Sequence, residues 1–460
     1  MNRKNLRLIL ISLLSISTLA SAQPHISGSV KVNRQKGLFL CEFDLSNLPQ
    51  LTDYRILLNR GMNIKSTKNS EGEFVMPSGQ LNNEAQEYYL ANDSGDTLAL
   101  PSQLTLFYSG AYPVYTEEKN AFDDKGYIAI NNRTLRATEQ TKWYPVLYDI
   151  AHDVLLDAYT YDIEVTIEDG SSIFLNGSPP VKSQKARFTN EKAVPLFLFV
   201  GDFDFISVNG DYIINADIDE AMAQKILANV AKVKKAYKNM MAEAFNDNIY
   251  LINHDPVKQM GPNQKWAFNI YPSLGFAGFD FNDLLFRGER FHQNVMNMFA
   301  HEMAHNYFGL NARSGTLQWF WLESVAEYMA ILALDELSNE DHVKWVLERK
   351  LENVKDRAFV PLSAVKEVEE IDEVYRYHMG PLILKVFEGT FGKEKTIAVL
   401  RSLHNNLLAG EMLTLSSLEQ ASLESGISHD DYASFRDAYL NDQDFEKQVV
   451  DYIDEVVAAY

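Results

Sequence analysis

The sequence has almost no cysteine. Cys41 is the single one in 460 residues, so an intramolecular disulfide framework is excluded, and the fold must be held by packing or by metal. Basic charge is also scarce: 42 Lys and Arg against 63 Asp and Glu leave a net charge of −21, with no dense basic patch. Phosphate backbones would be repelled, so nucleic acid is not an expected partner. The chain lacks a Gly-x-Ser-x-Gly elbow, a phosphate-binding Gly-rich loop, a cysteine cluster, an internal repeat and any low-complexity segment. The acidity reads as a solvated surface with a mild preference for cationic substrates.

Long apolar runs are missing beyond the first residues. There, Arg3, Lys4 and Arg7 precede the apolar stretch Leu8–Leu19, which ends in Ala20-Ser21-Ala22. That order is expected of a secretory signal peptide cleaved after Ala22, and the run is shorter than the ~20 residues a spanning helix needs. Export to the periplasm or the medium follows as an expectation, with no membrane span after cleavage. Cys41, within the alternating stretch Leu38 to Leu45, reads as a buried strand residue rather than a catalytic thiol.

From about Gln23 to Phe188 the chain shows short runs rich in Val, Ile, Tyr, Phe and Thr, such as Tyr54–Leu58, Glu87–Leu90, Leu104–Tyr108 and Asp162–Ile167. Gly, Asn, Asp and Ser clusters break them at intervals suited to antiparallel strands and turns. Gly177-Ser178-Pro179-Pro180 reads as a turn or linker, and Leu196–Val200 as a compact apolar strand. Helical periodicity begins near Asp219, where Ile226, Val230, Val233, Tyr237 and Met241 share one face. Further helices are expected over Phe291–Phe308 with Gly309 as the stop, from about Glu323 through Leu334, over Asp341–Asp356, and from Pro381 onward. The order is a β domain, a mixed domain and a helical tail, in an α+β chain too long for one core.

The second of these helices contains His301-Glu302-Met303-Ala304-His305. Histidines four apart put both imidazoles on one face, as two ligands of a tetrahedral zinc require, and Glu302 emerges beside the metal, where a carboxylate can deprotonate water. Glu323 opens the next helix and Glu327 follows one turn later. One of these acids can complete the metal site and the other can orient a ligand imidazole.

These residues resemble the gluzincin aminopeptidases related to membrane alanyl aminopeptidase. His301–Gly309, HEMAHNYFG, is similar to the family's HELAHQWFG; Trp321–Tyr328, WLESVAEY, to WLNEGFAEY; and Tyr377–Gly380, YHMG, to YEKG. Leu196–Phe203, LFLFVGDF, is similar to the strand opening the family's catalytic domain, and Trp143-Tyr144-Pro145 and Ser172–Gly177 carry weaker echoes. The resemblance implies zinc held by His301, His305 and Glu323, Glu302 as general base, Tyr377 as oxyanion donor, and a peptide as substrate. After the signal peptide read over 1–22, the expected architecture is an N-terminal antiparallel β-sandwich-like domain over 23–190, a thermolysin-like catalytic domain over 191–395, as the resemblance implies, and a short helical C-terminal region over 396–460.

Two departures stand out. One residue is missing between Leu322 and Glu323, so strict counting would put Ser324 at the ligand position, whereas a one-residue deletion keeps Glu323 and Glu327 in register. The family's Gly-x-Met-Glu-Asn loop, which holds the substrate's free amine, has no counterpart; the nearest stretch is Gly275–Asn282, GFAGFDFN, with Asp280 or Asp283 as candidate anions. Three readings stay open: an aminopeptidase acting on oligopeptides, an endopeptidase of the same fold, and a catalytically silent binding protein.

Overall fold

The computed structural model describes residues 23–65, 74–82, 84–116, 126–242, 247–254, 265–309, 315–337 and 340–460. The segment read as a signal peptide, residues 1–22, lies outside them. The chain is mixed α+β, with strands before residue 220 and mostly helices after residue 292.

The N-terminal half is built from sheets whose strands alternate as their sequences do. Leu38–Ser46 is typical: Phe39, Cys41, Phe43 and Leu45 are buried, and the residues between them face outward. It sits in a six-stranded sheet ordered Lys185–Pro195, Ala158–Ile167, His25–Asn33, Leu38–Ser46, Gln103–Ala111, Met62–Ile64. A five-stranded sheet, ordered Val154–Leu156, Val146–Asp149, Tyr54–Asn59, Ala85–Ala91, Phe74–Asn82, shares its core. The expected antiparallel arrangement needs one correction: His25–Asn33 pairs in parallel with Ala158–Ile167. Such a pairing joins strands far apart in sequence, so no local turn signal announces it.

A third sheet, Ser172–Leu175, Leu198–Gly201, Thr134–Ala137 and Ala129–Ile130, is apolar on both sides. Leu196, Leu198 and Val200 enter the N-terminal core, while Phe197, Phe199 and Phe203 enter a second, aromatic core with Phe174, Tyr250 and Phe268. Two-sided burial explains why this strand reads as a continuous apolar run. Gly177 to Pro180 form the turn before Lys185–Pro195, and that strand runs through the expected limit at 190/191.

The next sheet is mixed, ordered Phe205–Val208, Asp211–Ile214, Tyr250–His254, Ser273–Ala277, Trp266–Ile270, with Trp266–Ile270 as an antiparallel edge. The helices are α1 (Glu220–Met241), α2 (Gln293–Ala304), α3 (Val325–Glu336), α4 (Glu340–Val354), α5 (Gly380–Phe391), α6 (Lys393–Leu408), α7 (Leu415–Glu424), α8 (His429–Arg436) and α9 (Phe445–Ala459). In α1 the Asp219 side chain caps the Met222 amide at 2.7 Å, and Ile226, Val230, Val233, Tyr237 and Met241 are all buried, as their spacing predicts. One large core joins α1 to α9. No helix among the described residues is long and apolar enough to cross a membrane.

Candidate active site

Helix α2 presents His301 and Glu302 from its last turn and is fixed from two sides. Tyr237 of α1 donates its hydroxyl to the Ala300 carbonyl at 2.6 Å. Asn269, on the edge strand, donates to the Glu302 carbonyl at 2.8 Å and to the Asn306 side chain at 3.1 Å. The helix ends at Ala304, not at the expected Phe308 with Gly309 as stop. After it the backbone tightens: Asn306 N bonds the Met303 carbonyl at 3.1 Å and Tyr307 N the Ala304 carbonyl at 2.9 Å. His305 is therefore the C-cap, and its Nδ1 lies 3.1 Å from the Phe308 carbonyl.

The facing wall comes from two π-helical turns, Phe320–Ser324 before α3 and Tyr375–Met379 before α5. In each, a backbone amide reaches five residues back, Val325 to Phe320 and Gly380 to Tyr375. Such turns insert an extra residue into a helix and recur at functional sites. The first puts Glu323 beside the histidines. Ser324 is turned away, buried, with its hydroxyl donating to the Arg376 carbonyl at 2.9 Å. The two turns touch so closely that a Cβ at Gly380 would come within 2.1 Å of the Ser324 hydroxyl oxygen, so this position requires glycine.

His301 Nε2 lies 3.1 Å from His305 Nε2 and 3.3 Å from Glu323 Oε2, and His305 Nε2 lies 3.7 Å from the same oxygen. Ligands bonded to zinc at about 2.0–2.1 Å in a tetrahedron stand about 3.3 Å from one another, so the triangle fits that ion. His305 Nδ1 is bonded to the Phe308 carbonyl and His301 Nδ1 faces Glu327 Oε1 at 3.3 Å, so both Nδ1 atoms turn away from the triangle and each Nε2 turns into it. Among the described residues these three are the group of His, Cys, Asp and Glu side chains spaced to share an ion.

Charge supports the same donor set. Burial alone would lower the His301 imidazole, but Glu323 and Glu327 outweigh it and raise its pKa well above the usual value. Burial would raise the Glu323 carboxyl, yet His305, His301 and a hydrogen bond from Tyr377 hold it at about 2. Glu327 is driven lower still against burial, by Lys350 and His301. The Tyr377 phenol is pushed well above its ordinary range by burial and by Glu323, so it stays protonated as a donor.

His301, Glu302, His305, Glu323 and Tyr377 all border one cleft of about 530 Å³. The five residues singled out by sequence are therefore brought together. Asp280 and Asp283 are not with them. Asp280 caps a single turn through the Asn282 amide at 2.9 Å, and neither acid borders the cleft. The cleft wall instead includes Gln140 and Asp157 from the N-terminal half, Asn269 from the edge strand, and Trp319 and Arg376. Sequence reasoning did not single out these residues, nor Lys350, because nothing in their local sequence marks them as neighbours of the HEMAH helix.

No protein-family model and no curated protein sequence matches the chain. Solved structures do. An M1 zinc metallopeptidase from Deinococcus radiodurans superposes with a TM-score of 0.59 at 14% identity, over 90% of this chain and 93% of that one. A mutant of a Deinococcus radiodurans M1 zinc metallopeptidase bound to a Tyr-Ser-Ala substrate gives 0.60 at 15% identity, over 90% and 93%. Leukotriene A4 hydrolase from Saccharomyces cerevisiae gives 0.60 at 11% identity, over 90% of this chain and 66% of that one. The chain thus has the fold of the M1 zinc metallopeptidases, the fold that the resemblance of its HEMAH helix implied.

Proposed function

We propose that this chain is an exported zinc metallopeptidase that hydrolyses peptide bonds and acts as an aminopeptidase on oligopeptides. The observation that carries the reading is the triangle of His301, His305 and Glu323, with Glu302 and Tyr377 in the same cleft. In the finer architecture, a β-sandwich-like N-terminal domain precedes a thermolysin-like catalytic domain. The Deinococcus radiodurans structure with a Tyr-Ser-Ala substrate supports a peptide as the ligand.

When bound, zinc makes water acidic and polarises a carbonyl. Glu302 takes a proton from the attacking water as its oxygen joins the scissile carbonyl carbon, and passes that proton to the amine as the C–N bond breaks. Tyr377 exchanges its hydrogen bond to Glu323 for one to the oxyanion that forms. The products are a free carboxylate and a free amine.

The silent-protein reading is favoured if Ser324 occupies the ligand position, and the hydrogen bond that Ser324 donates to the Arg376 carbonyl supports Glu323 as the ligand instead. Export rests on the pattern of residues 1–22 and would leave Gln23 as the first residue, readable by intact mass. The decisive experiment offers one oligopeptide free and N-acetylated, with and without a zinc chelator. Chelator-sensitive trimming of the free form alone is expected, and Glu302→Gln abolishes it. Cleavage of both forms would make the chain an endopeptidase, and cleavage of neither would sink the peptidase reading.

A further inference from the structure

Among the described residues that line the cleft, Arg376 is the one of permanent positive charge. The chain carries an excess of acids, yet no carboxylate of the described residues pairs with this guanidinium. Asp372, one helical turn earlier, is committed elsewhere: its Oδ1 accepts from the Tyr375 amide at 2.8 Å, and its carbonyl takes Arg376 Nε at 3.3 Å. The guanidinium lies over the Trp319 indole, 4.3 Å from the ring centroid, and Trp319 also lines the cleft. Stacking on an aromatic face holds the planar fork in one orientation while leaving its terminal N–H groups outward. Backbone bonds fix its base, since the Arg376 amide donates to the Asp372 carbonyl at 3.0 Å and its carbonyl accepts from Ser324.

A preorganised arginine fork that no carboxylate of the described residues pairs with is built to take a carboxylate in two parallel hydrogen bonds. Arg376 immediately precedes Tyr377, so a group bound there is a short distance along the substrate from the carbonyl that Tyr377 faces. We infer that Arg376 anchors a carboxylate of the substrate, supplied by the C terminus of a short peptide or by an acidic side chain. This rests on the peptidase reading and deepens it: the cleft selects short or acidic peptides by their far end.

The test measures binding rather than turnover. Zinc-loaded Glu302→Gln protein is titrated calorimetrically with one tripeptide in three forms: free acid, C-terminal amide, and an amide whose last residue is Glu. The free acid should bind about tenfold more tightly than the amide, the worth of one charge-assisted contact. If the Glu-containing amide regains that affinity, the side chain serves as well as the C terminus; if not, the anchor reads the C terminus. Adding Arg376→Met should bring the free acid down to the amide, with the amide unchanged, and Arg376→Lys should keep part of the difference. Equal binding of free acid and amide, or a difference that survives Arg376→Met, overturns the inference. Turnover by the wild type separates the two readings. Arg376-dependent binding without cleavage refutes the peptidase alone, whereas cleavage without carboxylate preference refutes the anchor alone.

Discussion

Lys350 of α4 places its Nζ 2.7 Å from Glu327 Oε2 and 2.7 Å from the Tyr377 carbonyl, so one buried ammonium ties the carboxylate behind His301 to the segment that carries Tyr377. Glu327 in turn lies 3.3 Å from His301 Nδ1. Without the cation, Glu327 would be a buried charge balanced only by an imidazole that the metal needs neutral.

Lys350→Met should therefore weaken metal binding and lower kcat together, each by about 10- to 100-fold, as loss of a partner behind a metal ligand does. Removing one partner of a buried pair also costs stability, about 3–5 kcal/mol. Competitive chelator titration and steady-state kinetics measure the first effect, and thermal melting the second. Lys350→Arg should recover part of the metal affinity. A Met variant that melts early but binds zinc normally would reduce Lys350 to a packing residue.

The contrast between Lys350 and the HEMAH helix shows what a sequence can display. Two histidines one turn apart, and two glutamates one turn apart, declare a shared face because helix geometry is local. Lys350 lies 23 residues past Glu327, in a helix with no motif of its own, and only the packing of α4 against α3 brings it in. The same limit applies to Gln140 and Asp157, which reach the cleft from the other half of the chain. It applies to the parallel pairing of His25–Asn33 with Ala158–Ile167 as well. The choice between Glu323 and Ser324 was open in the sequence because a π turn changes which side chain faces the cleft without changing composition. The helix end at Ala304 was hidden for a related reason: Gly309 is a good stop, but the bond from His305 to Phe308 draws the chain out of the helix earlier.

Tyr377→Phe removes the donor and leaves the ring. The hydroxyl contributes only as negative charge grows on the carbonyl oxygen, so kcat should fall by about 10²–10³ with KM little changed. Metal content should stay at the wild-type level, since Tyr377 is not part of the ligand triangle. Full activity in the Phe variant would remove Tyr377 from the chemistry.

Cys41 gives a test of the N-terminal core. Burial pushes its thiol up to about 12, with a hydrogen bond to Tyr108 offsetting a little of the shift. A thiol with that pKa is protonated at pH 8, and only the thiolate attacks an alkylating reagent. Native protein at pH 8 should resist iodoacetamide, and protein in denaturant should be labelled at its single site, as intact mass will report. Rapid labelling of the native form would mean that the strand Leu38–Ser46 opens readily.

His342 contributes to the response to acid. It is fully buried in α4 beside Trp345, and burial moves its imidazole down from 6.5 to about 4, against a hydrogen bond with the Gln293 backbone. Above pH 6.5 the ring is neutral in both folded and unfolded chains and has no pH-dependent effect. As the pH falls below that value, the unfolded chain takes up a proton that the folded chain refuses, so folding stability drops until about pH 4 and then levels off. The full loss is about 3 kcal/mol, the worth of roughly two and a half pKa units. His342→Gln removes the titration while keeping a polar side chain of similar size. Urea denaturation of both proteins between pH 7.5 and 4 should show the variant gaining on the wild type steadily below pH 6.5. The difference between the two proteins isolates His342 from the carboxylates and other histidines that titrate in the same range. A constant difference across that range would mean that the imidazole takes up its proton as readily in the folded chain as in the unfolded one, and that α4 opens to water at this position.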